Sequence, residues 1–523
     1  MDTSTTTPVT AKPRSKHTET SRQIRGSSLL LIGQFISKGV NFFVQILIVR
    51  YLAKNDYGAF AYALSIVAVG ETIATFGLDR AITRFVPIYH EQHDYNKMFG
   101  TIFMVISGIV SIGLAIILLF FGLQGLIAKS YIQDQLAISL LLIMVFLSPV
   151  NALDTVLNGM FAVFSKPSAI FFRKYVLGPA LKLVVVGFLI FGRSGVRFLA
   201  GGYVFSGVVA VAIFSFILYR VFVEQNLFQY LNTRTIQIPW REVLAFTVPL
   251  LASDLVYVVM NSVDAVLLEH FQGLVDVAAL RAVQPTAKLN QLVLTSFGLL
   301  FTPAAARMFA RNDRKGVNNL YWQNAVWIAV ASFPIFALTF SLAKPITVFL
   351  FSERYEQSAL ILALLSFGYY FNAALGQNGL TLKVFGMVRY IVIIDVFTAV
   401  LNLVVNIVLI PRYGALGAAI GTLSVLIIFN LLKQAGLRFG PGVNLFDKHY
   451  LRVYLIIGLS TLSLFLFQIF TNASIYISIV VTGIVSILVL RLNRHMLNVE
   501  QTFPEILRFP LVKRLLVSEK DHS

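Results

Sequence analysis

Apolar stretches of about 20 residues recur fourteen times along this chain, and each is long enough to cross about 30 Å of hydrocarbon as a helix. They fall at roughly 28–52, 57–79, 101–123, 136–158, 170–192, 198–220, 243–269, 279–303, 321–343, 356–378, 388–410, 414–435, 451–470 and 473–490. A helix satisfies its own backbone polar groups, which lipid cannot do, so the pattern reads as an all-α integral membrane protein. Charge supports this: only 13% of the residues are charged and 57% are apolar, against about 25% charged in a soluble domain. A soluble exterior could not be built from so few charges.

The chain has no Cys, which excludes disulfides and thiolate metal sites. Its net charge of +18 could suggest nucleic acid, but the basic residues are scattered through short segments between apolar runs, and no soluble domain remains to carry such a surface. They report orientation instead. In a fourteen-span arrangement, thirty basic residues fall in segments on one side and nine on the other. By the positive-inside rule the richer side, with both termini, is cytoplasmic, and the short link at Thr471–Asn472 is external. No apolar run precedes residue 27, so a cleaved leader is not expected and residues 1–26 read as a disordered cytoplasmic tail.

Asn158–Gly159 and Asn378–Gly379 lie 220 positions apart, and the same offset aligns Lys182-Leu-Val-Val with Asn402-Leu-Val-Val. It also places spans 4 to 6 on spans 10 to 12. Two six-helix lobes of like orientation are therefore expected, 27–222 and 243–438, joined by a cytoplasmic linker at 223–242. Spans 13 and 14 (439–490) and a cytoplasmic tail (491–523) follow. Such a pair of lobes around a cleft suits alternating access, one lobe rocking against the other.

Four spans carry polar stripes that acyl chains would not tolerate, since an intramembrane Lys costs at least about 2.5 kcal/mol. Span 1 aligns Gln34, Lys38, Asn41 and Gln45; span 7 aligns Asp254, Tyr257, Asn261 and Asp264; span 8 aligns Arg281, Gln284, Lys288, Gln291 and Thr295. Span 2 adds Glu71 and Thr75 and ends at Asp79–Arg80, with Arg84 beyond. These four spans are the expected cavity wall, and its basic excess favours an anionic, phosphate-linked ligand. The alternative for Lys38 and Lys288 is a buried ion pair with Asp254 or Glu71 that only fixes packing. Spans 3, 5, 9, 13 and 14 hold hardly any ionisable residues, which suits lipid-facing or packing roles. No phosphate-binding loop or zinc motif is present, so neither ATP hydrolysis nor a metal centre is expected. No enzymatic site and no cofactor are anticipated beyond a coupling ion, H+ or Na+, for which Asp264 or Asp254 is the candidate carboxylate.

Certain strings go further. Gly33 to Arg50 followed by Leu52-Ala-Lys-Asn-Asp56-Tyr-Gly58, then Gly77-Leu-Asp79-Arg80-Ala with Arg84 and Phe85, Asp264 in span 7, and Pro411-Arg-Tyr-Gly414-Ala-Leu-Gly417 together resemble the polysaccharide-export flippases. These belong to the superfamily of multidrug and toxic-compound exporters and the lipid II flippase. The resemblance implies a flippase of the cell membrane that moves a polyprenyl-phosphate- or pyrophosphate-linked oligosaccharide to the outer leaflet for surface polysaccharide synthesis. It implies partners among lipids, a polysaccharide polymerase and glycosyltransferases. The carboxylates Glu71, Asp254 and Asp264 depart from a purely cationic cavity. A multidrug exporter and an accessory subunit of a polysaccharide synthase are the alternatives.

Overall fold

The computed structural model describes residues 16–126, 134–164, 167–231, 234–440, 442–471 and 473–497, with no strand among them. The chain is an all-α integral membrane protein. Its first half contains α1 (Lys16–Tyr51), α2 (Lys54–Thr75), α3 (Leu78–Glu91), α4 (Tyr95–Gly122), α5 (Gln135–Met144), α6 (Leu147–Val163), α7 (Gly178–Phe191) and α8 (Val196–Glu224). The second half contains α9 (Trp240–Gln272), α10 (Leu274–Lys288), α11 (Leu292–Ala310), α12 (Arg314–Phe336), α13 (Ala343–Phe351), α14 (Ala359–Ala374), α15 (Asn378–Val384) and α16 (Val388–Phe439). Helices α17 (Leu451–Thr471) and α18 (Ile475–Leu492) flank α12.

Among the described residues, eleven helical stretches are long and apolar enough to span a membrane, and joining Trp240–Val258 to Met260–Gln272 across a 46° bend makes twelve. The count expected from sequence was fourteen. Two places account for the difference: α1 is outside this tally, and α16 enters it as one 52-residue helix although Gly414, at φ 56° and ψ −136°, separates two helices within it. Only glycine adopts such a backbone at little cost. Helix α1 begins at Lys16, inside the segment expected to be a tail, whose residues 1–15 lie outside the described residues, as do Asn472 and 498–523.

Backbone chemistry sets the breaks. Phe76 and Gly77 take left-handed conformations (φ 51° and 67°) and divide α2 from α3. Pro285 removes a helical N–H, and four residues later the chain tightens into a 3-10 turn, Leu289–Gln291, that divides α10 from α11. A π turn, Phe171–Leu177, precedes α7.

We call the face at which α1 begins proximal and the opposite face distal. One apolar core joins both halves toward the distal face, bringing Val49, Leu52 and Phe60 together with Leu268, Val277, Phe351 and Ala418. Gly58 packs so closely on Leu274 that a Cβ there would run into the Leu274 carbonyl. Arg354 reaches across to donate to the Leu52 carbonyl at 3.3 Å. Toward the proximal face the cores separate: Ile82, Met98 and Phe161 belong to one, and Phe301, Trp322 and Leu437 to another. The molecule is thus two bodies fused distally whose proximal cores are separate, with Val243 of α9 packed into the first of them.

Candidate functional site

Between the two bodies, at mid-depth, lies a cavity of about 810 Å³. Its wall is built from α1 (Asn41, Gln45), α2, α6, the π turn with α7, α8, α9 (Tyr257, Asn261) and α10 (Arg281, Lys288). Five basic side chains line it, Arg173, Lys174, Lys182, Arg281 and Lys288, against one acid, Asp154. In surroundings of low dielectric that imbalance gives the cavity a positive potential.

The basic residues form two groups. On α10, Arg281 and Lys288 are two turns apart and therefore share a face. Arg281 donates to Gln284 Oε1 and to the Asn261 carbonyl, both at 2.8 Å, and Lys288 to Asn261 Oδ1 at 3.3 Å. The carbonyl of Arg281 accepts from Gln45 and from the Tyr57 hydroxyl, each at 3.2 Å. Neither cation has a carboxylate within ion-pair distance among the described residues. This falls short of the buried ion pair considered as the alternative for Lys288.

The second group sits on the opposite wall. Arg173 pairs with Asp154 at 2.5 Å, and Asn158 supports the same carboxylate at 3.3 Å. Lys182 lies 5.4 Å from the centre of the Tyr203 ring. The π turn widens the helix and lets the successive residues Arg173 and Lys174 both reach the cavity. Gly178 leaves room for the Arg173 guanidinium, which a Cβ would approach to 3.0 Å. Sequence reasoning missed all four of these residues and took span 5 for a packing or lipid-facing helix; the structure puts three cations of that span in the cavity wall. The signal available was Lys182, a lysine in the middle of an apolar run.

The other expected residues are placed elsewhere. Lys38 is exposed, one turn proximal of Asn41 and beyond the lining. Glu71 stands behind the wall, accepting from Asn151 at 3.0 Å. Arg80 and Asp254 join α3 to α9 at 2.6 Å, with Asp79 alongside, and Arg84 lies over Phe246 at 4.2 Å. Tyr89 donates to Glu242 at 2.9 Å, so these contacts lock α3 to α9 proximal of the cavity. Asp264 is 2% exposed and accepts from Asn406 at 2.9 Å; Asn406 also donates to Asn402 at 3.2 Å, and its own Oδ1 has no partner. The three carboxylates expected to dilute the positive charge thus stand outside the lining.

On the remaining side the wall loosens. Past the Leu289–Gln291 turn, α11 packs on α12 and α15. Leu299 and Leu300 on α11, and Phe35 and Ile36 on α1, are exposed.

Residues 24–309, more than half of the chain, match the family described as Polysaccharide biosynthesis protein, and residues 249–408 match MatE. The chain is 24% identical over 420 residues to the uncharacterized membrane protein MJ1068 of Methanocaldococcus jannaschii, covering 77% of this chain and 81% of that one. Over 140 residues it is 24% identical to Stage V sporulation protein B of Bacillus subtilis, covering 26% of this chain and 27% of that one. Its fold is that of the lipid II flippase MurJ in an inward closed conformation (TM-score 0.67, 16% identity, 90% of this chain and 99% of that one). An inward-facing multidrug resistance MATE family transporter also shares it (TM-score 0.60, 14% identity, 76% of this chain and 94% of that one).

Proposed function

The chain belongs to the polysaccharide biosynthesis protein family, and from that premise we propose that it is a flippase for a polyprenyl-phosphate- or pyrophosphate-linked oligosaccharide. The observation that carries the reading is the intramembrane cavity with five basic residues and one acid in its wall. A charged glycan cannot shed its water into hydrocarbon at a useful rate, because each lost hydrogen bond and charge contact raises the barrier. A polar cavity replaces those contacts while the polyprenyl tail stays in lipid. The phosphates sit at Arg281 and Lys288, on the helix whose continuation, α11, exposes Leu299 and Leu300, where the tail can leave sideways into lipid. No covalent bond changes.

The proximal face is cytoplasmic in this reading and the protein lies in the cell membrane, working beside glycosyltransferases and a polysaccharide polymerase. Alternating access requires the distal contacts of Gly58, Tyr57 and Arg354 to open as the α3–α9 lock tightens. Asp264 is the coupling carboxylate: the unpartnered Asn406 oxygen beside it fits a proton or a sodium ion better than the substrate's anionic head. The MatE match favours drug export as the second reading, but cationic drugs would be repelled by the lining. A deletion strain separates the two. Accumulation of lipid-linked sugar and loss of surface polysaccharide support the flippase; drug sensitivity with normal polysaccharide overturns it.

A further inference from the structure

The two basic groups of the cavity stand on different helices and share no charged neighbour. The charges nearest Lys182 are Arg173, Asp154 and Glu71, whereas those nearest Lys288 are Arg281 and Asp264. At 1.5 Å per residue Lys182 lies about 14 Å from the distal end of its span, a depth between those of Arg281 and Lys288, and Lys174 lies about 9 Å from the proximal end. A linear headgroup with its phosphates at the first group would therefore pass the second on its way toward the proximal mouth.

The second group has more cations than its own structure uses. Asp154 pairs with Arg173, and Glu71 is bound by Asn151. Lys174 and Lys182 face the cavity with no carboxylate within ion-pair distance among the described residues. Asp154 and Glu71 are the nearest negative charges to Lys182 but make no ion pair with it, and three cations against these two leave the group net positive, a charge that a ligand's carboxylate would offset. Packing alone would be served better by Met or Leu at position 182.

Resting on the flippase reading, we propose that Lys174 and Lys182 form a second anion subsite that takes a carboxylate on the glycan, so that the substrate is a polyprenyl-linked oligosaccharide containing an acidic sugar. The rigid Arg173–Asp154 pair forms the wall beside it, and the Tyr203 ring under Lys182 offers a flat apolar surface for a sugar face. Arg281 and Lys288 hold the phosphates, which every lipid-linked sugar carries, and so supply affinity without discriminating between glycans. Lys174 and Lys182 supply the discrimination.

The test compares two probes that differ in one group: a polyprenyl pyrophosphate bearing a single glucose, and the same lipid bearing glucuronic acid. Binding to the full chain in nanodiscs is measured for both. The unaltered protein is expected to prefer the glucuronyl probe by about tenfold, as one extra charge-assisted contact provides. The Lys174→Met/Lys182→Met double variant should bring that preference close to one, and Lys182→Arg should keep it. Lys288→Met should weaken both probes by the same factor and leave the preference intact. Equal binding of the two probes by the unaltered protein overturns the subsite while leaving the flippase reading standing, and needs no variant to fold. A preference that survives in the double variant also overturns it. Failure of the unaltered protein to bind either probe overturns both the subsite and the reading it rests on.

Discussion

The two halves place a buried carboxylate in opposite ways. In the first half, Asp154, Arg173 and Lys182 face an open cavity, and the helices that carry them leave space around them. In the second, Asp264 is closed in by Asn402 and Asn406, and the large groove on that side, between α12, α14 and α17, is lined by Phe336, Phe340, Phe367 and Phe465. The 220-residue offset read from the sequence would set Lys182 against Asn402, a cation in the cavity wall against a neutral carboxamide that reaches Asp264 through Asn406. Both halves give cations to the cavity, Arg173, Lys174 and Lys182 from the first and Arg281 and Lys288 from the second, while only the second also encloses the carboxylate proposed for a small cation or proton.

The sharpest way to break this contrast is to leave one charge of the first half unpaired. Arg173→Gln strands the Asp154 carboxylate and should lower stability by about 3 kcal/mol, seen as a fall in melting temperature in detergent. Arg173→Gln combined with Asp154→Asn should recover most of it, since the double change removes both charges. If the single variant melts like the unaltered protein, the pair is not a fixed part of the wall.

Next in size is the contrast between Lys288 and Lys38. Lys288→Met should cut translocation by about ten- to a hundredfold at unchanged abundance, the loss of one charge-assisted contact in a partly desolvated site. Lys38→Ala, outside the lining, should cost less than about threefold. A larger effect from Lys38 would place the substrate lower on α1 than the cavity does.

Sequence reading and structure part company along the same line. Asn41, Gln45, Asn261, Arg281 and Lys288 were legible because they recur at helical spacing in apolar runs, where lipid would reject them. Glu71, Asp79, Arg80, Arg84, Asp254 and Asp264 share those stripes yet serve other neighbours, because a stripe fixes direction around a helix but not depth, and depth decides whether Asp254 meets Arg80 or the cavity. Arg173 and Lys174 read as loop charges because they stand near the end of a span. Only the π turn, which has no sequence signature, turns both inward. The bend in α9 and the 3-10 turn after Pro285 are likewise tertiary, although the proline marks where the second can occur.

Smaller effects probe the second half and the lock. Asp264→Asn keeps the shape of its pocket and removes the charge, so it should flatten the pH or sodium dependence of transport while shifting substrate affinity by less than about threefold. Unchanged pH and sodium dependence in proteoliposomes would leave Asp264 a purely structural partner of Asn406. Arg80 and Asp254 are about one-third exposed or more (41% and 32%), so the double-mutant coupling between Arg80→Ala and Asp254→Ala should be no more than about 1 kcal/mol. Its readout is the rate at which single Cys probes, introduced into this cysteine-free chain at the proximal mouth, react with a water-soluble maleimide.

The central claim is that the cationic cavity carries an anionic, lipid-linked headgroup across the membrane. It is tested most directly by purified protein in proteoliposomes holding a fluorescent polyprenyl pyrophosphate sugar, with a membrane-impermeant quencher added to report its transfer between leaflets. The unaltered chain should equilibrate the probe, and the Arg281→Gln/Lys288→Met variant, inserted to the same level, should not. Equal transfer by both proteins, or by neither, would contradict the account.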